Sequence, residues 1–355
     1  MEALLEVKNL SIGIRKGETL LSAVEDISFE VYPGEILGIV GESGSGKTLT
    51  ALSIPGLLEG NIEASGRILY HSPDSAPDLT PDAAPGGVPD KVPNRVRNLL
   101  SLPEKELHLI QGKEISMIFQ EPFSSLNPLV KIGAQIAETL KLHGEKDNGL
   151  IKSRIRELME RLRFAEPEKV LDAYPHRLSG GMCQRVMIAL AVICRPRLLI
   201  ADEPTTALDI STQNQILALM KEINKDMGSS VLFISHDLEV IRNLCGRVLV
   251  MYSGRILEEG TVDEIFSQPA HEYTKGLLGS LPSRVKKGMD LANIPGKVPS
   301  LEEGRPSGCP FHPRCVKAGP ACLGDFPEPK VISASHKTRC LLETPGVGVT
   351  TQCEN

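Results

Sequence analysis

"EILGIVGESGSGKTLTALSIPGLL" occupies residues 35–58. Its first six residues, crowded with Ile, Leu and Val behind the Pro33-Gly34 turn, read as a buried strand. Residues 47–58 continue as a helix. Between them "GESGSGKT" (41–48) fits the glycine-rich template that links a strand to a helix and closes on Lys-Thr. The chemistry asks for these residue types. Gly41, Gly44 and Gly46, interleaved with Ser43 and Ser45, let successive N–H groups approach phosphate oxygens closely. Lys47 adds a point charge for the β- and γ-phosphates, and the Thr48 hydroxyl suits a Mg²⁺ ligand.

Working outward, "ISFEV" (27–31), "ISMIF" (115–119), "LLIAD" (198–202), "SVLFIS" (230–235) and "RVLVMY" (247–252) read as further strands. Helix-like stretches lie between them, including 150–164 and 210–227. In the latter Ile210, Ile216, Leu217, Met220, Ile223 and Met227 share one apolar face. Strands alternating with helices imply an α/β fold, a mostly parallel sheet covered on both sides.

Two segments break the pattern. From His71 to Asn98 prolines recur at 73, 77, 81, 85, 89 and 93, which predicts an extended, mobile surface insertion. After about Leu281 glycine, proline and cysteine dominate. The expected division is a large domain over 1–280 and a C-terminal appendage over 281–355.

Composition narrows the class. The 355 residues suffice for one large domain and a small one. A net charge of −6, an aromatic content of 4% and no Trp argue against a nucleic-acid partner. The most apolar run, 186–201, is broken by Arg195, Pro196 and Arg197, so no transmembrane span is expected. "MEALLEVKNL" lacks the basic-then-apolar order of a signal peptide. The chain reads as cytosolic, either soluble or peripherally attached to a membrane.

The ends of the apolar runs carry the polar residues. Asp202 closes "LLIAD", where ligands sit in open α/β sheets, and is placed to hold the metal. Glu203, one residue on and differently directed, is placed to polarise an attacking water. His236 follows "SVLFIS" and favours a γ-phosphate contact; Gln120 follows "ISMIF" and on its own could be an ordinary loop residue. A second glycine turn, "LSGGMCQR" (178–185), sets Ser179, Gly180 and Gly181 at the start of a helix, another ready anion cradle.

Taken in this order, these stretches resemble the nucleotide-binding subunits of ABC transporters over roughly residues 3–280, the 71–98 insertion apart. The resemblance implies a P-loop ABC-type domain with an antiparallel β subdomain and a helical subdomain near 125–190. It implies that ATP and Mg²⁺ bind at 41–48, with Thr48, Gln120 and Asp202 around the metal, Glu203 as general base and His236 as a switch. Ser179, Gly180 and Gly181 would close over ATP held by a second ATP-binding subunit, and Asp209 in "TTALD" would join the two sites. Two departures stand out: Met182 ends the signature "LSGGM", and Ile14 falls where the family stacks an aromatic on adenine. "QEPFSSLNP", "YPHRLSGGMCQRVMIA" and the tail "IPGKVPSLEEGRPSGCPFHPRC" are similar to the dipeptide, oligopeptide and nickel importer branch. That branch implies an ATP-hydrolysing motor subunit for import of dipeptides or oligopeptides, the dipeptide type foremost. It also implies two transmembrane permeases, a related second ATPase and an extracytoplasmic solute-binding protein, with this chain peripheral on the cytoplasmic face. Nickel or another cargo, an export pump, a soluble ATPase acting on nucleic acid or ribosomes, and a redox-sensing partner with weak catalysis are the alternatives.

Eight cysteines complete the reading. Cys183, Cys194 and Cys245 lie in apparent helices as small hydrophobes. Cys309, Cys315, Cys322 and Cys340 lack the short pairs of common zinc sites, which leaves zinc, an iron–sulfur cluster and metal-free thiols open. The resemblance implies a [4Fe–4S] cluster on these four. Cys353 is expected to be a bystander and His312 a loop residue.

Overall fold

The computed structural model describes residues 2–72, 95–206, 208–282 and 293–342. The chain enters through two long antiparallel strands, β1 (Leu5–Lys16) and β2 (Thr19–Val31). A turn then leads to β3 (Ile36–Val40), the glycine loop and the short helix α1 (Lys47–Ser53). β4 (Ile62–Ser72) returns against β1, and β5 (Arg95–Asn98) adds an outer strand, giving an antiparallel sheet in the order β2-β1-β4-β5.

The insertion expected over 71–98 is therefore paired at both ends, with His71 opposite Val96 and Ser72 opposite Arg95. Its prolines begin only at 73 and end at 93, so the flanking residues keep the backbone donors a ladder needs. Residues 73–94 lie outside the described residues.

α2 (Glu104–Ile110) precedes β6 (Ile115–Ile118). A helical run follows: α3 (Ile132–Leu142), α4 (Asn148–Arg161), α5 (Pro167–Leu171) and α6 (Gly180–Val192). β7 (Leu198–Asp202), α7 (Ile210–Met227), β8 (Ser230–Ser235), α8 (Leu238–Leu244) and β9 (Arg247–Tyr252) complete the α/β alternation. β9 turns back into β10 (Arg255–Thr261), followed by α9 (Val262–Ser267) and α10 (Glu272–Gly279). Cys183 lies in α6, whereas Cys194 follows that helix and Cys245 caps α8.

The main sheet runs β11-β12-β10-β9-β3-β8-β7-β6, where β11 (Lys330–Val331) and β12 (Lys337–Thr338) come from the C-terminal segment. From β9 to β6 the strands are parallel. Register decides where the chemistry falls. Val40 pairs with Ser235, and Asp202 with Ile234, so β3, β7 and β8 end at one sheet edge. Both faces of these strands are covered, as their unbroken apolar runs require. One core lies towards the antiparallel sheet, α1 and α2, the other towards helices α3 to α10 and takes in Cys309, Phe311 and Cys322. On α7, Ile216, Leu217, Met220 and Ile223 are buried, but Ile210 is 78% exposed. It occupies the first helical position, before the helix reaches the core. No described helix is long and apolar enough to cross a membrane.

Candidate functional site

The glycine loop is shaped by close backbone packing. A Cβ at Gly41 would stand 2.1 Å from the Met251 carbonyl oxygen, and Gly46 caps α1 at φ 94° with Val24 and Ala23 against it. Neither position has room for a side chain. Lys47, only 5% exposed, donates through Nζ to the Gly41 and Glu42 carbonyls at 2.8 and 3.0 Å and lies 3.4 Å from Ser45 Oγ. Burial pushes its pKa down, while Glu203, Asp202 and Glu42 oppose the shift. The ammonium thus sits in a poorly solvated place, short of a strong anionic partner.

Across the edge, Asp202 is 2% exposed, and Thr48 Oγ1 donates to its Oδ1 at 3.3 Å. Burial, with Glu203 beside it, raises the Asp202 pKa over the opposing pull of the Thr48 bond and Lys47. A buried carboxylate with one long hydrogen bond, facing a hydroxyl, fits a divalent cation.

Glu203 collects three partners on Oε2: Thr206 Oγ1 at 2.9 Å, His236 Nδ1 at 3.0 Å and Gln120 Nε2 at 3.5 Å. Its backbone N–H donates to the Ile234 carbonyl at 3.0 Å, pinning the carboxylate beside β8. The residues read from separate strand ends (120, 203 and 236) therefore meet at one carboxylate. Nothing in the sequence marks Thr206 apart from its neighbours in "ADEPTTALD". Ile14 is half-buried on β1, two residues beyond Ile12, which pairs with the Val24 that abuts Gly46.

The second glycine turn opens α6, where Ser179 is an exposed N-cap whose Oγ accepts from the Met182 N–H at 3.4 Å. A Cβ at Gly181 would meet the Thr212 methyl at 2.8 Å, so this glycine lets α6 lie against α7. Asp209 caps α7, accepting from the Thr212 N–H at 3.0 Å and hydroxyl at 2.7 Å, and these bonds hold its carboxyl low. Among the described residues no hydrogen bond joins 179–181 to 41–48.

The four C-terminal cysteines are drawn into one neighbourhood. The Cys309 N–H donates to the Cys322 carbonyl at 3.0 Å. Burial, with Cys322, Cys340 and Cys315 nearby, pushes the Cys309 thiol up to about 11, and burial likewise raises Cys315 and Cys340. Cys309 Sγ lies 3.7 Å from Nε2 of the buried His271. Even so, no three His, Cys, Asp or Glu groups among the described residues stand where they could hold a metal ion. The four thiols are near one another, and the expected [4Fe–4S] cluster on them is not shown.

Comparison with known proteins agrees with this geometry. Residues 24–206 match the family model for ABC transporters, and residues 257–322 match the C-terminal region of oligopeptide/dipeptide transporters. The chain is 41% identical to the oligopeptide transport ATP-binding protein OppD of Haemophilus influenzae, over 91% of this chain and 92% of that protein. It is 43% identical to the dipeptide transport ATP-binding protein DppD of the same organism, over 95% of each. Among solved structures it resembles the dimeric, post-hydrolysis ATP-binding cassette MJ0796 bound to ADP and Pi, with a TM-score of 0.59 and 25% identity over 73% of this chain and 98% of that one. The chain belongs to the ABC transporter family, among its oligopeptide and dipeptide transport ATP-binding proteins.

Proposed function

We propose that this chain is an ATP-hydrolysing subunit that drives import of dipeptides or oligopeptides, stationed at the cytoplasmic face of the cytoplasmic membrane. The observation that carries the reading is Glu203, held at the sheet edge by Gln120, Thr206 and His236. It stands one residue beyond an Asp202–Thr48 pair and close enough to the buried Lys47 to influence its charge.

In this reading residues 41–48 cradle the phosphates and Lys47 supplies the positive charge. Thr48, Asp202 and Gln120 would hold Mg²⁺, which when bound neutralises charge on the phosphate oxygens. Glu203 takes the proton of the attacking water, and His236 orients Glu203 and faces the γ-phosphate. Ser179, Gly180 and Gly181 cap ATP on a related partner subunit, Asp209 links the two sites, and Ile14 flanks the base. Most of the rate comes from fixed charges and donors, as phosphoryl transfer requires. Residues 1–280 form the ATPase domain, with its helical part over about 125–190, and 281–355 form the extension. The assembly is completed by two permeases and a solute-binding protein.

No step is derived through a cluster on Cys309, Cys315, Cys322 and Cys340. The resemblance of the tail and the nearness of the four thiols support it, and iron and sulfide analysis of anaerobically purified protein tests it.

The motor reading is tested in vesicles carrying the two permeases, this chain, its partner ATPase and the binding protein. Labelled dipeptide should enter with ATP hydrolysis, and Lys47→Ala should abolish both. Nickel uptake without peptide uptake would change the cargo; hydrolysis unaffected by Lys47→Ala would overturn the site.

A further inference from the structure

The C-terminal segment reaches the phosphate loop through Arg314, which is 8% exposed. Its Nη1 donates to both carboxylate oxygens of Glu42, at 3.1 and 3.0 Å, and to the Tyr252 hydroxyl at 3.3 Å. Nε donates to the Pro295 carbonyl at 2.8 Å, and the guanidinium lies over the Tyr252 and Phe311 rings. Glu42 is the second residue of the 41–48 loop. Its N–H donates to the Tyr273 hydroxyl at 3.0 Å, and its carbonyl accepts from Lys47 Nζ. One residue therefore carries both the carboxylate gripped by the tail and the carbonyl that parks the loop lysine.

A second tail arginine braces the other side. Arg305 pairs with Glu25 and donates through Nε to the Ser253 carbonyl at 2.6 Å, in the β9–β10 turn whose Gly254 N–H donates to the Ser45 carbonyl at 3.0 Å.

A carboxylate inside an anion cradle opposes its ligand unless its charge is offset. We propose that Arg314 is a positioning residue for the phosphate loop: it neutralises Glu42 and holds that side chain aside so that the loop accepts a nucleoside triphosphate. This rests on the reading of 41–48 as the ATP site.

The test is Mg-ATP binding to the full-length chain by calorimetry, with KM for ATP in the assembled transporter. Arg314→Met keeps the apolar stem and removes the charge; binding should weaken about tenfold, chiefly as KM with kcat little changed. The same substitution in a Glu42→Gln background should change affinity by no more than about twofold, because the charge it offsets is gone. A merely structural role for Arg314 would be felt equally in both backgrounds. That pair of chains also decides the matter should Arg314→Met alone fail to fold. Full affinity in Arg314→Met, or an equal loss in both backgrounds, overturns the proposal. Lys47→Ala separates the two readings: if it too binds Mg-ATP normally, the ATP-site assignment has failed, and if it alone loses binding, only the role of Arg314 has.

Discussion

Glu203 holds its carboxylate on a left-handed backbone, φ 46°, a conformation that costs a non-glycine residue on the order of 1–3 kcal/mol. The hydrogen bond from its N–H to Ile234 and the three contacts at Oε2 keep it there. The Asp-Glu pair is visible in the sequence because an apolar strand ends at it. The twist that turns the second carboxylate away from the first is not, since no residue type announces it. Gln at 203 has the same length and tolerates the same backbone, so Glu203→Gln tests the proposed proton transfer by itself. Single-turnover hydrolysis should fall by about 10²–10⁴ while Mg-ATP binding persists. Near-normal turnover would remove Glu203 from the chemistry.

Elements buried on both faces were the legible ones. β3 and β6 to β9 are short, continuous apolar runs, and their sequence bounds agree with the structure to within a residue. β10, "RILEEGT", hides because its two glutamates and glycine look like a loop. Glu258 is nevertheless 1% exposed, satisfied by the Ala270 and His271 N–H groups and by His336 Nε2 at 2.7 Å. Such long-range pairing leaves no local trace, and β11 and β12, two residues each, leave less. The same junction contains a titratable latch. Glu264 closes a capping box with Thr261 at α9 and accepts from Ser333 and Ser335 of the tail. Burial alone would raise its pKa, but the bonds from Ser333, Thr261 and Ser335 outweigh it and hold the carboxyl down to about 2. A depressed acid stabilises the fold above its unfolded pKa, and that contribution disappears as pH falls from about 4.5 towards 2. Glu264→Gln should cost about 1 kcal/mol at neutral pH, and denaturant melts of the two proteins should converge towards pH 2. Parallel curves across that window would show that the carboxylate does not latch the tail.

At the scale of the molecule, two glycine turns proposed to hold phosphate lie in one chain, and no hydrogen bond links them among the described residues. Ser179 is exposed at the mouth of α6, while the loop that ends in Lys47 sits at the edge of the main sheet. The glycine pattern marks both turns at once; the structure adds that Gly181 lies against Thr212 of α7 while Ser179 is exposed. In the proposed reading, the second turn acts on ATP held by another subunit. Asp suits an N-cap as well as Ser does, so Ser179→Asp preserves α6 and puts a negative charge where a partner's γ-phosphate would lie. The isolated variant should bind Mg-ATP like the parent chain, because its own loop does not meet residue 179. In the assembled transporter, hydrolysis should fall by about 10²–10³, the scale of losing a donor to developing negative charge. Should the isolated chain remain monomeric with ATP bound and hydrolyse it at the rate of the full assembly, the two cradles would have to act within one chain, and the division of the site between subunits would be wrong.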